Sequence, residues 1–327
     1  MKLIVVSIIP IELFTTTRAQ LAEKYLLDQN CLYDTDTNVS TIFKEISGSA
    51  SRFYSVSSLI GDDMYVVFYE SSICLYLERS IENWILDRKS IEKELKTRNA
   101  YHKGVISNSD NSAAKWLVDN LRLILPESEY GQVNINYVFS FYVVDGLNKD
   151  QQKSETLKIL AEPSIIDLDD MLSTECNQDV KISKDINYEY LGMLSDVDIS
   201  SHATTYITWA TIVSSSEDSY WANKTKSLLA ALECRLQIVW NRCYSVSKFI
   251  DDVFDRRDKP KDIEELYWSF VKTLDDARSV LSSTYSSRAD RLFSEMISTS
   301  KISGEIDRLE QKINLLEKYI EQHNLKL

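Results

Sequence analysis

The chain has 327 residues, 44% of them apolar and 10% aromatic, which is room for two domains with an ample core and excludes a disordered polypeptide. Asp and Glu (50) outnumber Lys and Arg (37), and the resulting net charge of −13 argues against nucleic acid as the main partner, because neutralising many phosphates takes a basic face. Glycine (7) and proline (4) are scarce, leaving little material for phosphate-cradling loops and few interruptions to long helices.

Residues 3–9 form a Val- and Ile-rich run broken only by Ser7 and ended by Pro10, which predicts a central strand covered on both faces. A signal peptide is the poorer reading, because Glu12 closes the run early and no small-residue cleavage site follows. No segment approaches the stretch of about 20 apolar residues that spans a membrane, so we expect a soluble cytoplasmic protein.

Helical periodicity is expected over residues 17–27 and 38–46. Residues 64–69 (MYVVFY) and 73–77 (ICLYL) read as a hairpin around Glu70, Ser71 and Ser72. Helices are then predicted at 78–95 and 109–125, the latter stopped by Pro126. Residues 134–144 (NINYVFSFYVV) are the strongest strand, 147–161 a helix, and 204–213 (TTYITWATIV) a last single strand. Residues 164–201, rich in Asp and weak in periodicity, show no clear element.

After Ser214 the character changes. Leu229, Leu232, Leu236, Val239, Cys243, Val246, Ile250 and Val253 recur in steps of three and four within a run free of Gly and Pro, predicting a helix on the order of 60 Å long. Asp262 and Glu265 fit the cap of a further long helix carrying Ile263, Leu266, Phe270, Leu274, Ala277 and Leu281, with a kink or restart near 298–304. The last helix repeats in heptads: Ile306, Ile313, Ile320 and Leu327 at position a, Ile302, Leu309, Leu316 and His323 at position d. β-Branched residues at a with Leu at d favour a two-stranded parallel coiled coil.

The fold class this predicts is α+β or α/β: a mixed-sheet domain over residues 1–214, then a hairpin or bundle of long helices with coiled-coil character over 215–327. The final stripe, Ile302, Ile306, Leu309, Ile313, Leu316 and Ile320, has two destinations, packing inside the chain or pairing with a second copy. In a parallel dimer Lys312 would meet Glu317 favourably and Glu305 would meet Glu310 unfavourably, effects of only a few tenths of a kcal/mol that do not decide. The narrow stripe with charged flanks leads us to expect a dimer or higher oligomer, or a partner protein docked through these helices.

Candidate chemistry is sparse. The five cysteines (Cys31, Cys74, Cys176, Cys234, Cys243) include no CxxC and read as reduced thiols, several of them in the core. Of the three histidines (His102, His202, His323), only His202 lies near acids: Asp196, Asp198 and His202 could hold a divalent cation or, beside Ser200 and Ser201, form a hydrolytic site, against the plainer reading of a polar loop whose acids cap turns. Asp167, Asp169 and Asp170 are a second acidic cluster, read chiefly as solvated helix-start residues. Arg256, Arg257, Lys259 and Lys261 sit at the expected tip of the long hairpin, either a soluble turn or a contact for an acidic partner. Trp221, Trp240 and Trp268 are read as packing groups. GxxxxGK[ST], GxGxxG and GxSxG are all missing.

The layout of an α/β domain followed by very long C-terminal helices resembles the cytosolic part of the CorA-type magnesium-channel family. That resemblance would imply two membrane spans and a Gly-Met-Asn motif; the sequence has neither, so it implies a soluble relative with oligomerising helices and no transport, and it carries no functional residue over. The function we expect is a non-enzymatic cytoplasmic interaction, scaffold or sensor subunit without a resident cofactor. The low Gly and Pro beside abundant Ser, Asn and Ile suit an AT-rich bacterial gene, as in a multi-protein defence system. The alternative is a metal- or nucleotide-dependent enzyme or sensor using the acidic loops.

Overall fold

The computed structural model describes residues 2–47, 51–56, 63–82, 108–125, 133, 135–136, 139–152, 195–200, 202–207, 211–255, 263–281 and 287–322. Its strands are β1 (Lys2–Glu12), β2 (Leu32–Asp34), β3 (Ser51–Val56), β4 (Asp63–Tyr69), β5 (Ser72–Ile81), β6 (Phe139–Asp145), β7 (Ser195–Ser200), β8 (Ala203–Ile207) and β9 (Thr211–Ser216). Its helices are α1 (Thr16–Asp28), α2 (Asn38–Ser47), α3 (Asn108–Ile124), α4 (Ser219–Asp255), α5 (Ile263–Leu281), α6 (Ser287–Ser300) and α7 (Ile302–Gln322).

One sheet carries all nine strands in the order β2-β3-β4-β5-β1-β6-β9-β8-β7. The β6–β9 pair is parallel and the others are antiparallel, so the sheet is mixed and the protein belongs to the α+β class. The expected central strand is β1, lying between β5 and β6. Its period-two alternation separates two cores. Ile4, Val6 and Ile8 face a cluster built with α4, α5 and α7, while Ile9, Ile11 and Leu13 face a second cluster with α1 and α3.

The helix α4, about 55 Å long at ~1.5 Å per residue, lies between the sheet and the outer helices α5 and α7. Being covered on both sides, it is buried nearly all round rather than along one stripe: Leu229, Ala230, Ala231, Leu232 and Cys234 are all fully buried. The apolar core therefore runs without a break from the sheet into the helical layer.

Several expectations need correction. Residues 204–213 are not one strand but parts of two, β8 and β9, paired with each other as an antiparallel hairpin. Both runs alternate residues on two covered faces, which hides the division between them. Residues 78–81 continue β5 instead of opening a helix, held by pairing with β1 out to Leu3↔Ile81. Within the strand expected over 134–144, β6 covers Phe139–Asp145, residues 135 and 136 are outside any strand, and 134, 137 and 138 lie outside the described residues. By contrast, the restart expected near 298–304 is present: the break falls at Lys301, with φ of 56°, and Gly304 lies inside α7 with open space around it. Strands β2, β3 and β7 are short, at most six residues each, and had no counterpart among the expected elements.

Candidate functional site

Many of the polar residues singled out from the sequence fall outside the described side chains. Asp196 and Asp198 lie on β7, with backbone partners Tyr206 and Thr204 on β8; their side chains, like the whole of Asp167, Asp169, Asp170, Arg256, Arg257, Lys259 and Lys261, lie outside the described residues. His202 sits in the turn after β7. Its Nδ1 is 3.2 Å from Glu217 Oε2, and its ring stacks on Trp221 at 5.2 Å and 17°. These contacts tie the β7–β8 hairpin to the start of α4. Among the described residues no group of His, Cys, Asp and Glu is arranged to hold a metal ion. Cys74, Cys234 and Cys243 are buried free thiols and Cys31 is half-buried. Trp240 packs flat on Tyr244, whereas Trp268 is exposed.

The heptad stripe lies inside the chain. Ile302, Ile306, Leu309, Ile313, Leu316 and Ile320 are each at most 4% exposed, covered by α4 and α5. The e and g flanks also find partners within the chain. On the e side, Glu310 pairs with Arg278 of α5 (2.7 Å) and Glu317 accepts a hydrogen bond from Tyr267 of α5. On the g side, Lys312 pairs with Asp251 of α4, and Tyr319 meets Phe254 of α4 edge-on at 5.5 Å. Glu305 pairs with Arg308 on its own helix. Positions b, c and f from Asp307 onward (Asp307, Arg308, Gln311, Asn314, Leu315, Lys318, Glu321, Gln322) are exposed. The periodicity thus gives the correct inward face, and α7 turns that face toward its own chain. In this conformation the six side chains are not available to a second copy.

A polar site that sequence reading missed lies where the sheet meets the helical layer. Arg242, in the middle of α4, is 3% exposed. Its Nη1 donates to Glu70 Oε2 (3.1 Å) and to Asp276 Oδ2 (3.2 Å), and its Nη2 donates to Thr273 Oγ1 (3.1 Å). Nε faces Glu12 Oε2 at 3.6 Å, beyond hydrogen-bond reach. Glu12 ends β1, Glu70 turns the chain from β4 into β5, and Thr273 and Asp276 lie one turn apart on α5. One guanidinium therefore joins two strand ends, the central helix and an outer helix.

The surroundings fix these groups. The Glu12 carboxylate accepts from the Phe14 backbone N–H (2.7 Å) and from the Ser71 (2.7 Å) and Ser72 (2.5 Å) hydroxyls. The Ser269 hydroxyl of α5 donates to the Phe14 carbonyl (3.1 Å), and the Phe14 ring packs against Phe249 of α4 at 5.3 Å. Phe14 and Glu70 both adopt positive φ, 68° and 51°, a conformation that strains residues with a side chain and that the surrounding contacts hold in place. Burial and a hydrogen bond with Glu70 push the Asp276 carboxyl up to about 7. Burial also works to raise Glu70, but the hydrogen bond with Asp276, Arg242 and the Lys272 ammonium outweigh it and hold Glu70 below the usual range. Burial disfavours the charged guanidinium, and the three carboxyl groups more than restore it, so Arg242 stays a cation. Arg242 looked like any charge in a helix; the only hint was that it lies one position before Cys243 of the apolar stripe.

Fold and site together define an α+β protein with a mixed sheet, a buried central helix and an arginine–carboxylate clasp joining them. No family model, no curated protein and no solved structure matches this chain. Among the described residues no helix is long and apolar enough to cross a membrane.

Proposed function

We propose that the chain is a non-enzymatic interaction protein that associates with a second copy of itself through the outer face of α5 and α7. The observation that carries this reading is a pair of large apolar side chains on that face, Trp268 of α5 (57% exposed) and Leu315 of α7 (52% exposed). The contacts Tyr267–Glu317 and Arg278–Glu310 make α5 and α7 antiparallel and put residues 268 and 315 within about a turn of each other along the pair. Scattered exposed apolar residues need no explanation, but an exposed Trp at the same level of the outer helical layer as an exposed Leu supplies the kind of anchor that interface centres use. The buried free thiols Cys74, Cys234 and Cys243 fit a reducing, cytoplasmic setting.

Light scattering on the full chain beside Trp268→Glu/Leu315→Glu tests this. The reading predicts a wild-type mass above one chain and a folded variant at the mass of one chain. A wild-type protein already at that mass would overturn self-association and make a different protein the occupant of the face. The rival reading, a metal- or nucleotide-dependent site in the acidic loops, predicts a raised melting temperature in Mg²⁺, Mn²⁺ or nucleotide, since ligands that bind the native state stabilise it.

A further inference from the structure

The clasp holds more acid than base. Three carboxyl groups, Glu12, Glu70 and Asp276, stand around the single buried guanidinium of Arg242. The second cation beside them is Lys272 of α5, 3.5 Å from Glu70 Oε1 but 61% exposed, so water screens its charge. If all three acids were ionised, they would outnumber the cations by one even with Lys272 counted, and uncompensated negative charge is costly in a dry site.

The site answers by keeping a proton. The oxygens of Glu12 are taken up by one backbone N–H and two hydroxyls, and Glu12 lies 3.6 Å from Nε on the other edge of the guanidinium. Glu70 and Asp276 approach the same Nη1, at 3.1 and 3.2 Å, which brings the two carboxyl groups to one site, and like charges sharing a site resist ionising together. We propose that Glu70 and Asp276 share one proton from mildly acid to neutral pH, and that this proton is the latch holding α5 to the β4–β5 turn. Raising the pH through neutrality withdraws it and loosens the outer helical layer.

The other titratable and charged neighbours do not replace it. Tyr69 at the end of β4 is pushed up by burial and stays neutral, and the Cys243 thiol of α4 is pushed up to about 12, again by burial first. Arg235 of α4 acts on Tyr69 and donates to the Ile46 carbonyl at the end of α2, and Glu305 of α7 acts on Cys243 while paired with Arg308.

The direction of the pH effect follows. Asp276 moves from its ordinary 3.8 to about 7 in the folded chain, so the hold its proton provides is complete below about pH 4 and is lost as the pH rises through about 7. Glu70 is shifted down and acts in the opposite sense, its contribution falling away in acid. Between about pH 5 and 7 the pair therefore loses one proton each time α5 opens, and the opening constant rises about tenfold per pH unit before levelling off. The latch works in the single chain, whatever the outer layer docks.

Hydrogen exchange of α5 amides from pH 5 to 8, corrected for the intrinsic pH dependence of exchange, tests this on the full chain. Wild-type protection in residues 263–281 is expected to fall about tenfold per unit up to pH 7 and then level off. In Asp276→Asn the slope should vanish, because the amide cannot ionise. Glu70→Gln, which leaves Asp276 ionised against Arg242, should flatten it too and serves if the first variant fails to fold. Equal slopes in wild type and the folded variant would overturn the shared-proton latch.

Discussion

Two parts of this molecule hold helices in place by opposite means. α7 is fixed by a repeating local pattern, with apolar residues inward at a and d, mostly half-buried flanks at e and g, and, from Asp307 onward, polar residues other than Leu315 outward. The clasp is fixed by a single guanidinium on which Glu12, Glu70, Thr273 and Asp276 converge from distant points in the chain. The first spreads its stabilisation over many side chains that each tolerate change. The second concentrates it where removal of one partner strands buried charge.

The variants that break this comparison differ in size. Arg242→Met leaves three acids around an apolar side chain and is expected to cost about 3–5 kcal/mol in urea denaturation. Leu309→Ala, at a fully buried d position, should cost about 2–5 kcal/mol. Glu233, buried on α4 with Gln237 donating at 2.8 Å, is pushed by burial up to about 8. Its folded pKa lies above its ordinary value of 4.5, so the stability tied to its proton is complete below about pH 4.5 and lost as the pH rises through 8. Denaturation midpoints of Glu233→Gln should accordingly decline less than wild type between pH 5 and 8.5. At the small end, Arg278→Ala removes a half-exposed ion pair with Glu310 and should shift stability by only a few tenths of a kcal/mol. Leu315→Ala, on the outward face of the same helix as Leu309, should stay within about 0.5 kcal/mol.

The same contrast explains what was legible in the sequence. Local periodicity placed β1, α1, α2, α3, α4 and the inward face of α7, because each buries a stripe that recurs at the period of its own backbone. It could not say whose surface covers the stripe of Ile302, Ile306, Leu309, Ile313, Leu316 and Ile320, since an apolar face reads the same toward α4 and α5 as toward a second copy. The pairings of Glu310 with Arg278 and Lys312 with Asp251 are likewise invisible without the fold, being 32 and 61 residues apart in sequence. The division of residues 203–216 into two strands was hidden by alternation on two covered faces. The clasp was least legible. Glu12, Glu70, Arg242 and Asp276 form no motif, and the hairpin reading marked Glu70, Ser71 and Ser72 only as a turn.

The most direct test of this account is the unfolding of Ile313→Asp/Leu316→Asp, followed by circular dichroism and light scattering beside the wild type. Because both side chains are buried against α4 and α5, the account predicts loss of the cooperative native transition and not a well-folded chain of altered mass. A variant that keeps wild-type stability, with or without a change in mass, would contradict the internal packing of α7.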